Sequence, residues 1–117
     1  MYQFYIMSKP YYVDSDLNKF GNIGEWNKGL ADKFFSYYGD VFAAGALSVR
    51  EKSLIALAVA HAVQCPYCID AYTTESLKSG ADEEQMMEAL HVTAAIRGGA
   101  SLVHGVQMMN KAKEISM

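Results

Sequence analysis

The sequence has little of what would tie it to a membrane, a nucleic acid or a structural metal. It contains no run of lysine or arginine and carries a net charge of −3, which argues against nucleic acid as a partner. The longest apolar run, Leu54 to Ala60, is far short of a membrane span. The start, "MYQFYIMSKPYYV", lacks the basic residues and small-residue cleavage site of a signal peptide, so the cytoplasm is the expected compartment. Only two cysteines and three histidines are present. A closed zinc site needs about four ligands, so no resident metal is expected. There is no internal repeat, no low-complexity segment, no Gly-rich phosphate loop and no Ser-His-Asp order, and no cofactor is implied. No stretch alternates with period two, which excludes a half-buried strand.

What is present is helical. The chain of 117 residues suits one domain, and its 51% apolar and 20% charged residues are ordinary globular values. Residues 1–13 are rich in tyrosine, are interrupted by Pro10, and read as an extended arm. Residues 14–117 read as one helical domain. Asp14 or Ser15 caps a short helix through Phe20, ended by Gly21. Apolar residues at 26, 30, 34, 37, 38, 41 and 42 predict an amphipathic helix over about 25–43. Ser48 and Glu51 form a capping box that opens a helix running to about Val63, apolar nearly all round. Gln64 is a break. Cys65 takes the next N-cap position and Pro66 the N1 position, where a missing N–H costs nothing. That helix runs to about residue 79 and stops at Gly80. Asp82 and Gln85 form a second capping box for a helix that should end before Gly98-Gly99. A last helix is expected over about 100–113. The fold class is all-α, with five or six helices. A helix apolar on every side in so short a chain predicts a homo-oligomer.

The chemistry concentrates in "CPYCIDAY", residues 65–72. Two cysteines in a reducing compartment point to catalysis, redox sensing or metal capture more than to a staple. Cys65 sits where free N–H groups and the helix dipole stabilise a thiolate. Cys68 lies one turn on, on the same side, so a reversible disulfide closes with little movement. Packing of two small hydrophobes is the bland alternative. Tyr67 sits inside the motif and shapes access to it. His61 precedes Cys65 by four residues and interrupts an apolar face. It is either a core histidine bonded to a carbonyl or a base for the thiols, since histidine titrates in the useful range. His104 follows the Gly-Gly pair, where a tight turn can bring it back toward the cysteines. His91 and Arg97 lie on another helix, and His91 reads as structural or interfacial. Met86, Met87, Met108, Met109, Phe34, Phe35, Tyr37 and Tyr38 read as core and oligomer contacts.

The segment "REKSLIALAVAHAVQCPYCIDAYTTESLKSGADEEQMMEALHVTAAIRGGASLVHG" resembles the core of the carboxymuconolactone decarboxylase family, in particular its alkylhydroperoxidase D-like (AhpD-like) branch. "AHAVQCPYCIDAYT" and "AIRGGASLVHG" are similar to the peroxidase-like proteins associated with arsenosugar biosynthesis. The resemblance spans about residues 11–112. It implies an all-helical fold that assembles as trimers or hexamers. It also implies a dithiol cycle in which a peroxide is reduced at one cysteine, a disulfide forms, and a dithiol donor restores it. The family's glutamate, twelve residues before the first cysteine, falls on Ser53. Its histidine, four residues after the second, falls on Tyr72. Glu51 is about 200° around the helix from Ser53 and is better explained as a cap. Tyr72 can donate a hydrogen bond to a thiolate but is a poor base at neutral pH. The helix start favours Cys65 as the thiolate, whereas the family pattern favours Cys68 as the peroxide-reactive thiol and Cys65 as the one that exchanges with the donor.

The expectation is therefore a thiol-dependent oxidoreductase acting on a hydroperoxide or a small disulfide. Its working residues would be Cys65 and Cys68, with His61, Tyr72 and His104 as candidate partners. The alternatives are a dithiol module that captures a thiophilic species such as trivalent arsenic, and a lactone decarboxylase. Of the histidines, His61 is the better placed to act as base.

Overall fold

The computed structural model describes residues 10–117, so most of the expected N-terminal arm lies outside the described residues. The chain divides into two compact units, one through Ala43 and one from Ala44 to Met117.

In the first unit a 3-10 helix, Asp14–Glu25, precedes helix α1, Lys28–Phe42. The 3-10 helix passes through Gly21 instead of stopping there. At Gly24 a Cβ would lie 3.2 Å from the Ala31 Cβ, so glycine lets this segment pass close to α1. α1 begins later than apolar periodicity predicts because Asn27 caps it, accepting a hydrogen bond from the Leu30 N–H at 3.1 Å. Phe20 packs edge-on against Phe35 with ring centroids 5.0 Å apart, and the row continues through Phe34, Tyr38 and Phe42. No residue of either helix is fully buried, and Trp26, Leu30 and Tyr37 are largely in solvent.

The second unit holds α2 (Val49–Ala62), α3 (Pro66–Lys78), α4 (Glu83–Val103) and α5 (Gly105–Ser116). Both expected capping boxes form. The Glu51 N–H donates to Ser48 Oγ and the Ser48 N–H to Glu51 Oε1; Gln85 and Asp82 repeat the exchange. The turn after α2 is set by Gln64, whose φ of 57° puts a non-glycine residue in the left-handed region. The stop after α3 is Gly80, at φ 93°, where glycine carries no steric cost.

Cross-helix hydrogen bonds fix the order of packing. Ser53 Oγ meets Ser79 Oγ at 3.3 Å, and the Cys65 N–H donates to Ala60 O at 3.0 Å, so α2 and α3 form an antiparallel hairpin. Thr93 Oγ1 donates to Ala58 O and Arg97 Nη1 to Ala62 O. Both partners advance by four residues together, so α4 lies parallel to α2 in one fixed register. The buried residues are Ser53, Leu57 and Ala60 on α2, Tyr72 and Ser76 on α3, Thr93 on α4, and Ala81.

A further expected boundary is wrong. α4 does not end before Gly98-Gly99 but runs on to Val103, and the last helix starts at residue 105, not 100. Each interior glycine costs about 1 kcal/mol of helix stability relative to alanine. Thr93 and Arg97, bonded to the α2 backbone just before the pair, hold the helix through it. The actual break is His104.

Candidate functional site

The cysteine pair is built by the bend between α2 and α3. Cys65 is the N-cap of α3, with extended backbone (φ −101°, ψ 104°), and Pro66 is N1. The Cys68 N–H donates to Cys65 Sγ at 3.3 Å, so the sulfur takes the role that a serine or aspartate oxygen takes at other helix starts. The two Sγ atoms are 2.8 Å apart, both cysteines are free thiols, and both are half-buried. A disulfide has a length of about 2.05 Å, so less than 1 Å of approach separates this arrangement from a bond.

The two sulfurs are not equivalent. Burial pushes the Cys68 thiol up to about 11, and Cys65 adds to this as hydrogen-bond partner and as a nearby charge. Either sulfur can donate the hydrogen between them while both are protonated. The backbone N–H of Cys68 points at the Cys65 sulfur, while burial favours the protonated form of Cys68.

The family's acid and base positions are occupied as follows. Ser53 is only 3% exposed, and its hydroxyl faces Ser79, near the far end of α3 from the cysteines. Ser79 donates its own hydrogen to Glu75 O, so Ser53 is the donor of that pair. Tyr72, one turn beyond Cys68, is 8% exposed and forms part of the α2–α3 core. Glu51 is a surface cap, and its carboxyl is held below the usual range first by the Ser48 backbone N–H.

His61 Nδ1 lies 2.8 Å from Leu57 O. A carbonyl only accepts, so Nδ1 carries the hydrogen and Nε2 is left with its lone pair. The ring lines a cleft of about 210 Å³. His61, Thr73 and Glu83 supply its polar groups, and Leu57, Met86, Met87 and Leu90 its apolar wall. Thr73 is five residues past Cys68, which is about 140° around α3 and about 7.5 Å along it. The cleft therefore opens on a different flank of α3 from Cys68. His104 is exposed at the α4–α5 junction and bonds Gln107 at 3.0 Å; the Gly-Gly turn that was to bring it back toward the cysteines does not form. His91 is exposed. Met108 and Met109 are exposed as well.

Arg97 was passed over in the sequence. Its guanidinium reaches Ala62 O at 3.1 Å and closes the C-terminal end of α2, three residues before Cys65. A basic residue on a later helix gives no local sign of such a partner.

The chain belongs to the carboxymuconolactone decarboxylase family, whose model matches residues 28–111. Among curated proteins it is 40% identical over 95 residues to "Uncharacterized protein 4 in cox locus" of Paracoccus denitrificans, covering 81% of this chain and 86% of that one. Among solved structures it matches a crystal structure of a protein from Methanobacterium thermoautotrophicum with a TM-score of 0.63 and 34% identity. That match covers 78% of this chain and 94% of the other. No described helix is long and apolar enough to cross a membrane.

Proposed function

We propose that the protein is a thiol oxidoreductase of the alkylhydroperoxidase D-like kind, cycling Cys65 and Cys68 between dithiol and disulfide. The observation that carries this is the 2.8 Å separation of the two free sulfurs at the start of α3. The Cys65 thiolate attacks the terminal oxygen of a hydroperoxide. The O–O bond breaks, the alkoxide takes a proton from solvent and leaves as alcohol, and Cys65 becomes a sulfenic acid. The Cys68 sulfur then displaces the hydroxyl, its own proton completes the departing water, and the disulfide forms. With a small disulfide as oxidant, Cys65 forms a mixed disulfide and releases one thiolate. Cys68 then resolves it and releases the second thiol. A dithiol donor reverses the oxidation.

In this reading the proton carrier is the partner thiol. Cys68 is the residue that retains its hydrogen, and it is in contact with the reacting sulfur. The base role expected of His61 is not needed, because its ring belongs to the cleft beyond Thr73. Of the two candidates for the attacking sulfur this reading takes Cys65, because the family's base position beside Cys68 holds the buried Tyr72.

The test is a free-thiol count before and after one equivalent of hydroperoxide, with mass spectrometry of the peptide holding both cysteines. Loss of two thiols and of two hydrogens on that peptide is expected, with His61→Ala oxidising near the parent rate. Unchanged thiols together with tight arsenite binding would replace the oxidoreductase by a dithiol capture module.

Self-association is part of the same proposal. Ile55 and Val59 on α2, Val63 just after it, and Val92, Ile96, Leu102 and Val103 on α4 are all about half or more exposed in the single chain. Sedimentation at micromolar concentration should show an oligomer, and a monodisperse monomer contradicts it.

A further inference from the structure

The cleft beside His61 has a one-sided chemistry. His61 Nδ1 donates to Leu57 O, which leaves Nε2 of the neutral ring as an acceptor. Thr73 Oγ1 donates to Ile69 O at 2.7 Å, so its hydroxyl offers only lone pairs. Glu83 presents a carboxylate, which only accepts. Every hydrogen that the polar side chains of the cleft could offer to a ligand is already spent on a backbone carbonyl. Among the described residues no lysine or arginine lines the space. Glu83 is the one charged side chain among the described residues that line the space.

The remaining wall is apolar and soft, with Leu57 and Leu90 beside the thioethers of Met86 and Met87. A volume of about 210 Å³ is smaller than the 300–1,000 Å³ of drug-sized sites. It is the space of roughly seven water molecules at 30 Å³ each.

From these observations the geometry points to a binding site for a small organic ammonium ion, a compact apolar body carrying one –NH₃⁺ group. Its three N–H donors match the three acceptor groups, its charge matches Glu83, and its carbon body fills the wall of leucines and methionines. A carboxylate or phosphate ligand would meet three side-chain acceptors and no side-chain donor. A bare cation would leave most of the space empty. The site is independent of the redox reading, because it shares no side chain with the cysteine pair and opens on another flank of α3.

The probe is benzylammonium, with benzyl alcohol and benzoate as neutral and anionic controls of the same shape. Binding to the full chain is followed by NMR of the methionine methyl groups and the His61 ring. Saturable shifts at Met86, Met87 and His61 with benzylammonium are expected in the millimolar range or below, with weaker binding of the alcohol and none of benzoate. Glu83→Gln, a change at an exposed position, should weaken benzylammonium roughly threefold to fivefold and leave the alcohol unaffected. Met87→Trp, at a half-exposed position, should fill the cleft and abolish both. Equal binding of all three probes, shifts confined to other residues, or no shift at 20 mM ammonium would overturn the assignment. The last outcome includes a cleft covered by a second copy of the chain. The free-thiol count with peroxide should be the same with and without benzylammonium, so a failure here leaves the dithiol chemistry untouched.

Discussion

Replacing Cys65 by alanine removes two of the three influences that hold the Cys68 proton. Burial, the largest, remains; the sulfur partner and the charge go. In the parent protein the Cys68 thiol is raised from an ordinary 9.0 to about 11. At pH 8 a difference of that size leaves roughly 100-fold less thiolate, and alkylation by iodoacetamide follows the thiolate. The assay is timed alkylation of the reduced protein, with each site read by peptide mass spectrometry. In the parent, label should accumulate on Cys65 first, with Cys68 following more slowly and accelerating as pH rises toward 11. In Cys65→Ala, Cys68 should react faster than in the parent, yet more slowly than an exposed thiol, since burial persists. Parent protein labelled on Cys68 ahead of Cys65 at pH 8 would refute the assignment of roles. The same shift has a consequence for stability, and its sign is fixed. The folded state holds the Cys68 proton more tightly than the unfolded chain does. That contribution is complete below about pH 9 and is lost as pH rises through about 11.

Two further outcomes follow from the backbone and core. Ser76 Oγ is fully buried and has no hydrogen-bond partner among the described residues, so Ser76→Ala should be neutral or stabilising by up to about 1–3 kcal/mol in urea unfolding; a clear loss of stability would mean that the hydroxyl has a partner, such as a buried water. Gln64 holds φ 57°, so Gln64→Gly should stabilise by about 0.5–1 kcal/mol, and the β-branched Gln64→Val should destabilise by 1 kcal/mol or more, read as opposite shifts in thermal midpoint.

What could be read from the sequence was local. The capping boxes at Ser48 and Asp82, the Cys65–Pro66 helix start and the Gly80 stop each depend on residues within four positions of one another, and each is present. Gly98-Gly99 misled because the signal is local while the answer is not. The helix is carried through the pair by Thr93 and Arg97, whose partners are 35 residues away. The cleft was invisible for a similar reason: its lining comes from α2, α3 and α4, and no spacing within one helix announces it. His61 showed itself as a polar interruption on an apolar face, and its Nδ1 is bonded to a backbone carbonyl. The hydrogen bond of its Nδ1 was guessable; the company its ring keeps was not.

The bend at Gln64 also bears on how the protein is made. The hydrogen bonds that shape the cysteine pair, from the Cys65 N–H to Ala60 O and from the Cys68 N–H to Cys65 Sγ, lie within residues 60–68. Contacts so close in the chain form early and carry a small loop-closure cost. The dithiol is thus assembled by the segment least dependent on the rest of the molecule, before α4 and α5 need to have left the ribosome. An oxidant met during synthesis finds the two sulfurs already beside each other. With no third cysteine in the chain, the one disulfide that can close within it joins Cys65 and Cys68.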